Sequence, residues 1–240
     1  MALKNKTVLI TGGAHRLGRH FALTAARAGA NILLHHSHSP EEARQTAAEI
    51  EKFGVVCKIV NVDFDNPENV LKVFEKLFQA EPVDALVNNA AIFEPVKFTE
   101  TTLLQFQQHL NINLTVPFIL SQLFSAHLGQ KEGRIVNILD WRALRPGRDH
   151  FPYTISKSAL AAMTESLALN LAPNIQVNAL ALGAILPPSD GNRDGNIIRQ
   201  VPAQRWADLD ELSQAFLFLL DGPSYITGEI IHLDGGRHLV

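Results

Sequence analysis

Short apolar runs alternate along the chain with longer segments in which apolar residues recur every three or four positions. The runs cover residues 7–11, 31–35, 55–61, 85–88, 134–138, 175–181 and 230–233, and most are continuous in Val, Ile and Leu. Continuous runs of that kind suit strands buried on both faces of a parallel sheet. The segments between them predict helices over 17–28, 40–53, 66–79, 101–128, 153–171 and 208–220. Gly29 and Gly54 supply stop signals, Ser39 and Pro40 read as N-cap and first helical position, and Pro117 predicts a kink in the fourth helix. The repeated β-α alternation predicts an α/β sheet between two helix layers. No linker or low-complexity stretch divides residues 1–240, so a single domain is expected. The one irregular stretch, 187–204, is polar and rich in Gly, Asn, Asp and Arg. It follows the sixth strand, where ligands approach such a sheet, and reads as a mobile substrate loop or as an ordinary long surface loop.

Composition narrows the class. Apolar residues make up 46% and charged residues 19%, enough to bury a sizeable core. The net charge is −3 with no basic stripe, which argues against nucleic acid as the main partner. Cys57 is the only cysteine, so no intrachain disulfide forms, as suits a reducing cytoplasm. No signal-peptide pattern opens the chain, and no run approaches the roughly 18 apolar residues of a membrane span, so a cytoplasmic protein is expected.

The first strand runs into Thr11-Gly12-Gly13-Ala14-His15-Arg16-Leu17-Gly18, where a helix begins. Glycines let the backbone approach a phosphate, and the helix N-terminus offers free N–H groups and partial positive charge. At the end of the second strand an NAD site places an acid on the ribose 2′-hydroxyl. Here the segment is His35-His36-Ser37-His38-Ser39, with no acid before Glu41. Hydroxyls, imidazoles and Arg16 suit a 2′-phosphate, so NADPH is expected over NADH, with His36, His38 and Ser39 in its site. A metal site in this His cluster is disfavoured, since no Cys or carboxylate lies at ligand spacing.

Tyr153 and Lys157 stand four residues apart at the start of a predicted helix and share a face. An ammonium beside a phenol lowers a pKa that is otherwise about 10, making Tyr153 a usable acid-base catalyst. Gly12-x5-Gly18, Asp63, Asn88-Asn89-Ala90, Asn113, Tyr153-x-x-x-Lys157, Ile226-Thr227-Gly228 and Asp234-Gly235-Gly236 together resemble the short-chain dehydrogenase/reductase family over essentially the whole chain. The resemblance implies a Rossmann-like, doubly wound sheet of seven parallel strands flanked by helices, and a homotetramer. It implies that Asp63 meets the adenine and that Asn88 stabilises the sheet and the cofactor. Leu17, Asn89, Ala90, Gly183 and Ile185 join the cofactor-binding set. Lys157 would bond the nicotinamide ribose and tune Tyr153, while Asn113 would hold a water in a proton relay to Lys157. Read without the family, Asp63 is an N-cap and Asn88-Asn89 a turn.

Three departures point to a substrate. Arg16 replaces the central glycine of the family's turn, where a guanidinium reaches cofactor phosphates and substrate. The family's catalytic Ser, thirteen residues before the Tyr, is Asp140, and no Ser or Thr lies between Asn137 and Pro152. An ionised carboxylate only accepts hydrogen bonds, so Asp140 suits substrates with N–H groups or a proton relay through Tyr153. Phe93 follows the fourth strand, placed to stack on a flat substrate or to serve as a core or rim aromatic. This set is similar to pteridine reductases, and the segment 234–239 is similar to bacterial dihydromonapterin/dihydrofolate reductases. Hydride transfer from NADPH to a pterin C=N is implied, with Tyr153 as proton donor, Asp140 beside it, Arg16 on the pterin or pyrophosphate, and Phe93 sandwiching the pterin against the nicotinamide. Ala91, Leu182-Gly183 and His38 differ from the Ser, Pro-Gly and Arg that the resemblance calls for. Trp141 and Trp206 either line the substrate pocket or pack. The rival readings are a 3-oxoacyl thioester reductase, disfavoured by Asp140, and a non-catalytic NADPH-binding regulatory protein, disfavoured by Asn113, Tyr153 and Lys157.

Overall fold

The structure is a computed structural model that describes residues 3–186 and 198–240. Most of the expected substrate loop, 187–197, lies outside the described residues. Seven strands, β1 Thr7–Ile10, β2 Asn31–His36, β3 Cys57–Asn61, β4 Ala85–Asn88, β5 Gly133–Asp140, β6 Ile175–Leu182 and β7 Ile230–Leu233, form one parallel sheet in the order β3-β2-β1-β4-β5-β6-β7. Parallel neighbours need crossovers, which the helices supply: α1 Arg16–Arg27, α2 Pro40–Glu51, α3 Pro67–Ala80, α4 Leu103–Leu110, α5 Val116–Leu128, α6 Phe151–Leu171 and α7 Leu209–Asp221.

Side chains alternate across the sheet, so each central strand feeds two cores. Val8, Ile10 and Val87 pack with Phe21, Ile50 and Phe216 under α1, α2 and α7, whereas Leu9 and Leu86 pack with Phe74, Phe78 and Phe124 under α3 and α5. The expectation of strands buried on both faces holds for β1, β2, β4 and β6, but not for β3 and β7. These two are the sheet edges, and β3 leaves Lys58 and Ile59 exposed there.

The helix expected over 101–128 is two helices joined by a single wide turn, Asn111–Thr115, in which the Val116 N–H reaches the Asn111 carbonyl. Pro117 has no N–H and its ring crowds the carbonyl four residues back, so the chain widens just before it rather than kinking at it. That turn carries Asn113, fully buried. The strand order reverses between β1 and β4, and the crevice beyond their carboxyl ends is where such sheets take ligands. Among the described residues no helix is long and apolar enough to cross a membrane.

Candidate active site

A cavity of about 560 Å³ opens at the reversal point. Gly12, Arg16, Leu17 and Gly18 form one wall, His36, His38, Ser39 and Asp63 a second, and Asn89, Ala90 and Phe93 a third. The glycine turn is held from below. The Thr11 hydroxyl accepts the Asn89 and Ala90 N–H groups at 2.9 Å each, and Asn89 Nδ2 donates to the carbonyls of Thr11 (2.8 Å) and Gly12 (3.1 Å). Arg16 adopts φ +50°, the left-handed conformation that a glycine takes without strain.

His35 is a functional residue that the sequence reading did not single out. It is buried, stacks on Phe64 at 3.9 Å, accepts the Gly12 N–H on Nδ1 (3.1 Å) and donates from Nε2 to the Val62 carbonyl (2.9 Å). It therefore braces the turn as a neutral imidazole and is no phosphate ligand. The available signal was parity: His35 shares a strand face with the buried Leu33. Burial pushes its pKa down to about 4, below the ordinary 6.5. Between those values the unfolded chain binds more protons, so this contribution to stability is present above pH 6.5 and is lost as pH falls towards 4. Denaturant titrations should show a loss on the order of 3 kcal/mol over that window, and His35→Gln should flatten it.

Ser39 stands at the N-cap of α2 but its side chain makes no cap bond. His38 Nε2 lies 3.4 Å from Asp63, so the acid that β3 brings to this wall is paired. Among the described residues no group of three or more His, Cys, Asp or Glu could hold a metal ion. Gly183 and Ile185, expected in the cofactor-binding set, are not among the residues that line this cavity, and neither are Tyr153 and Lys157. A Cβ on Gly183 would lie 2.6 Å from Asp234 Cα, so this glycine lets β6 pass the Asp234 turn, while Ile185 is buried in the core under α7.

Beside the cavity, Phe93 meets the edge of Tyr153 at 4.6 Å between ring centroids. Tyr153 and Lys157 lie buried on one face of α6 against the end of β5. The Tyr153 hydroxyl donates to Asp140 Oδ2 at 3.5 Å, and Lys157 Nζ donates to the Ile138 carbonyl at 2.7 Å. The expected lowering of the phenol by the ammonium is not found. Burial, and then the Asp140 charge, push Tyr153 well above its ordinary value, so it is a neutral O–H donor. Burial lowers Lys157 to about 8 against the opposing pull of Asp140. Burial also raises Asp140, opposed by Arg142, whose backbone N–H (2.8 Å) and guanidinium (3.5 Å) donate to Oδ1.

The Asn113 side chain accepts the Ile92 N–H (2.9 Å) and donates to the Ile92 carbonyl (3.1 Å) and Ser156 Oγ (3.0 Å), which in turn donates to the Tyr153 carbonyl. It ties the exit of β4 to the first turn of α6, and its amide is not turned to Lys157. Asn88 Nδ2 donates to Asn137, and Asn137 to Thr164, a buried chain that fastens α6 to the sheet. Phe93, read as a platform for a flat substrate or as a core or rim aromatic, lines the cavity half-exposed, with His150 stacked on one face of its ring at 3.9 Å and 11°. Trp141 lies next to Asp140 under Arg142 and Arg237, whereas the Trp206 carbonyl accepts a hydrogen bond from Arg205 at 3.1 Å.

A family model described as enoyl-(acyl carrier protein) reductase matches residues 12–238. A 2-dehydro-3-deoxy-D-gluconate 5-dehydrogenase from Bacillus subtilis (strain 168) is 34% identical over 98% of this chain and 95% of its own. The 3-oxoacyl-[acyl-carrier-protein] reductase FabG of Aquifex aeolicus (strain VF5) is 34% identical over 98% of both chains. The solved FolM alternative dihydrofolate reductase 1 from Brucella canis, complexed with NADP, has a TM-score of 0.90 at 32% identity, covering 100% of this chain and 96% of that one.

Proposed function

The chain belongs to the short-chain dehydrogenase/reductase family of NAD(P)-dependent oxidoreductases, and from that premise we propose that it is an NADPH-dependent pteridine reductase. The observation that carries the reading is Asp140. It sits at the end of β5, 3.5 Å from the Tyr153 hydroxyl, thirteen residues before the Tyr, where the family pattern calls for a serine. A carboxylate accepts from ring and amino N–H groups of a pterin, and it opposes a bare ketone oxygen.

The residues present fit the cofactor. The cavity spans the glycine turn and the end of β2, and the turn leaves no room for a side chain at Gly18, where a Cβ would fall 1.9 Å from the Gly12 carbonyl oxygen. Gly12, Arg16, Leu17 and Gly18 would hold the pyrophosphate, and His36, His38 and Ser39 the 2′-phosphate. Asn89 and Ala90 lead to the nicotinamide end. When bound, NADPH supplies a hydride to the ring carbon of a C=N bond. Tyr153 delivers the proton to the ring nitrogen, which balances the reduction to CH–NH. Asp140 orients the ring and accepts its N–H groups. Lys157, protonated, compensates the charge left on Tyr153, and Asn113 fixes the helix turn that aims it. The resemblance to FolM, solved with NADP, supports both the cofactor and the substrate class. A homotetramer is expected on the family pattern.

NADPH oxidation at 340 nm with dihydrobiopterin, dihydromonapterin, dihydrofolate and a 3-oxoacyl thioester, repeated with NADH, tests the reading. Turnover of a pterin with NADPH is the expected result, and turnover of the thioester alone overturns it. Because Lys157 is held down to about 8, the kcat/KM for reduction should fall as pH rises through that value, where the ammonium is lost. A profile flat to pH 10 would remove Lys157 from the role.

A further inference from the structure

Trp141 follows Asp140 directly, and two guanidinium groups sit over its ring: Arg142 at 4.7 Å and Arg237, from the C-terminal segment, at 4.8 Å. A third, Arg145, lies alongside, bonded to the His238 carbonyl at 3.4 Å. The charge of Arg142 is answered by Asp140 and Asp149. Those of Arg145 and Arg237 have no carboxylate within ion-pair distance among the described residues; Arg237 donates to the carbonyl and amide oxygens of Gln200. Two cations without a carboxylate partner, gathered beside a third, leave a local excess of positive charge that an anion would offset. The Arg142 Nε–H is also buried and donates to nothing among the described residues. Arg237 and Arg199 face a second cavity of about 400 Å³, bordered by Val201 and Pro202.

We propose that this platform is a subsite for an oxyanion, a carboxylate or phosphate carried on the tail of the substrate, gripped by Arg145 and Arg237 while Arg142 holds Asp140. The place follows from shared contacts: Arg142 donates to the catalytic carboxylate of Asp140 and lies over Trp141, the ring that Arg237 also covers, so the platform adjoins the site and a substrate tail there would reach it. Guanidinium pairs bind carboxylates and phosphates by parallel N–H groups, and Arg237 is already partly desolvated on the indole. Burial, and then the Arg142 and Arg145 charges, press the Arg237 pKa downwards against the opposing pull of Asp149. The subsite rests on the reductase reading above for which ring carries the tail, but not for the anion itself.

With Trp206→Phe as background, Trp141 is the only tryptophan. Its fluorescence is titrated with potassium phosphate, with glutarate, and with potassium chloride at matched ionic strength. A saturable change with phosphate or glutarate and none with chloride is expected. The two oxyanion arms tell a phosphate tail from a carboxylate tail. Arg237→Gln and Arg145→Gln should each weaken the response about tenfold, the loss of one charge-assisted contact, and Arg237→Lys should restore part of it. In steady state, either Gln variant should raise the KM for dihydrofolate, which carries carboxylates, and leave the KM for dihydrobiopterin unchanged. Equal responses to all three salts, a response unaffected by both Gln variants, or equal KM increases for both pterins would overturn the proposal. An oxyanion response that Arg237→Gln removes, in a protein that reduces no pterin, would uphold the subsite and overturn the pterin reading. Pterin reduction with no oxyanion response would do the reverse.

Discussion

Replacing Tyr153 by phenylalanine is expected to lower kcat for NADPH-dependent reduction by about 10² to 10⁴, the range for removing a positioned general acid. In the proposed reading the hydroxyl has this task. It is a buried neutral phenol whose proton points at Asp140 Oδ2, and Lys157 lies 5.9 Å from its ring centroid, held by the Ile138 carbonyl. The substitution removes a single oxygen, and the ring packing against Phe93 remains. NADPH affinity should therefore fall by at most about 1 kcal/mol, one hydrogen bond. Fluorescence titration of NADPH and single-turnover kinetics separate the two effects. A kcat reduced less than tenfold would place the proton donor elsewhere, with Asp140 the next group to test through Asp140→Asn.

Gly18→Ala is expected to abolish measurable NADPH binding and to destabilise the fold. The added Cβ would fall 1.9 Å from the Gly12 carbonyl oxygen and 2.7 Å from Asn89 Nδ2. Neither atom can yield. Gly12 is in the left-handed region at φ +61°, with its own missing Cβ 3.0 Å from Ala90 Cα, and Asn89 is committed to the carbonyls of Thr11 and Gly12. Relief requires α1 to move away from β1, which opens the phosphate cradle and breaks the brace at His35. Overpacking of this kind costs about 1–3 kcal/mol or more, and a displaced cradle costs affinity at about tenfold per 1.4 kcal/mol. Denaturant melts and NADPH titration should report both losses. A variant that binds NADPH like the parent chain would mean that the cofactor does not approach this turn.

The apolar periods and stop signals were enough for seven parallel strands and the crossover helices, because in a sheet covered on both faces each element carries its own pattern. The misjudged places are those where a neighbour decides. β3 has an apolar sequence yet lies at an edge, and the fourth helix divides because Pro117 and the carbonyls before it compete within one turn. The glycine turn, the Tyr153 and Lys157 pair and Asp140 could be read as motifs because their spacing within strand, turn or helix is local. Gly183 and Ile185 matched by position in the family pattern, which carries no record of their packing against the Asp234 turn and in the core.

The sequence by itself determined the α/β architecture and singled out the glycine turn and the Tyr153 and Lys157 pair as candidates, since each follows from local periodicity and spacing. Only the tertiary structure decided what state those groups are in and what surrounds them. Tyr153 stays protonated because β5 brings Asp140 to it in a buried place, His35 turns inward because Gly12 and Val62 close on its two nitrogens, and Arg237 reaches Trp141 from the far end of the chain. Desolvation and charge coupling depend on distance in space, and a linear pattern carries no record of which distant residues the fold will place side by side.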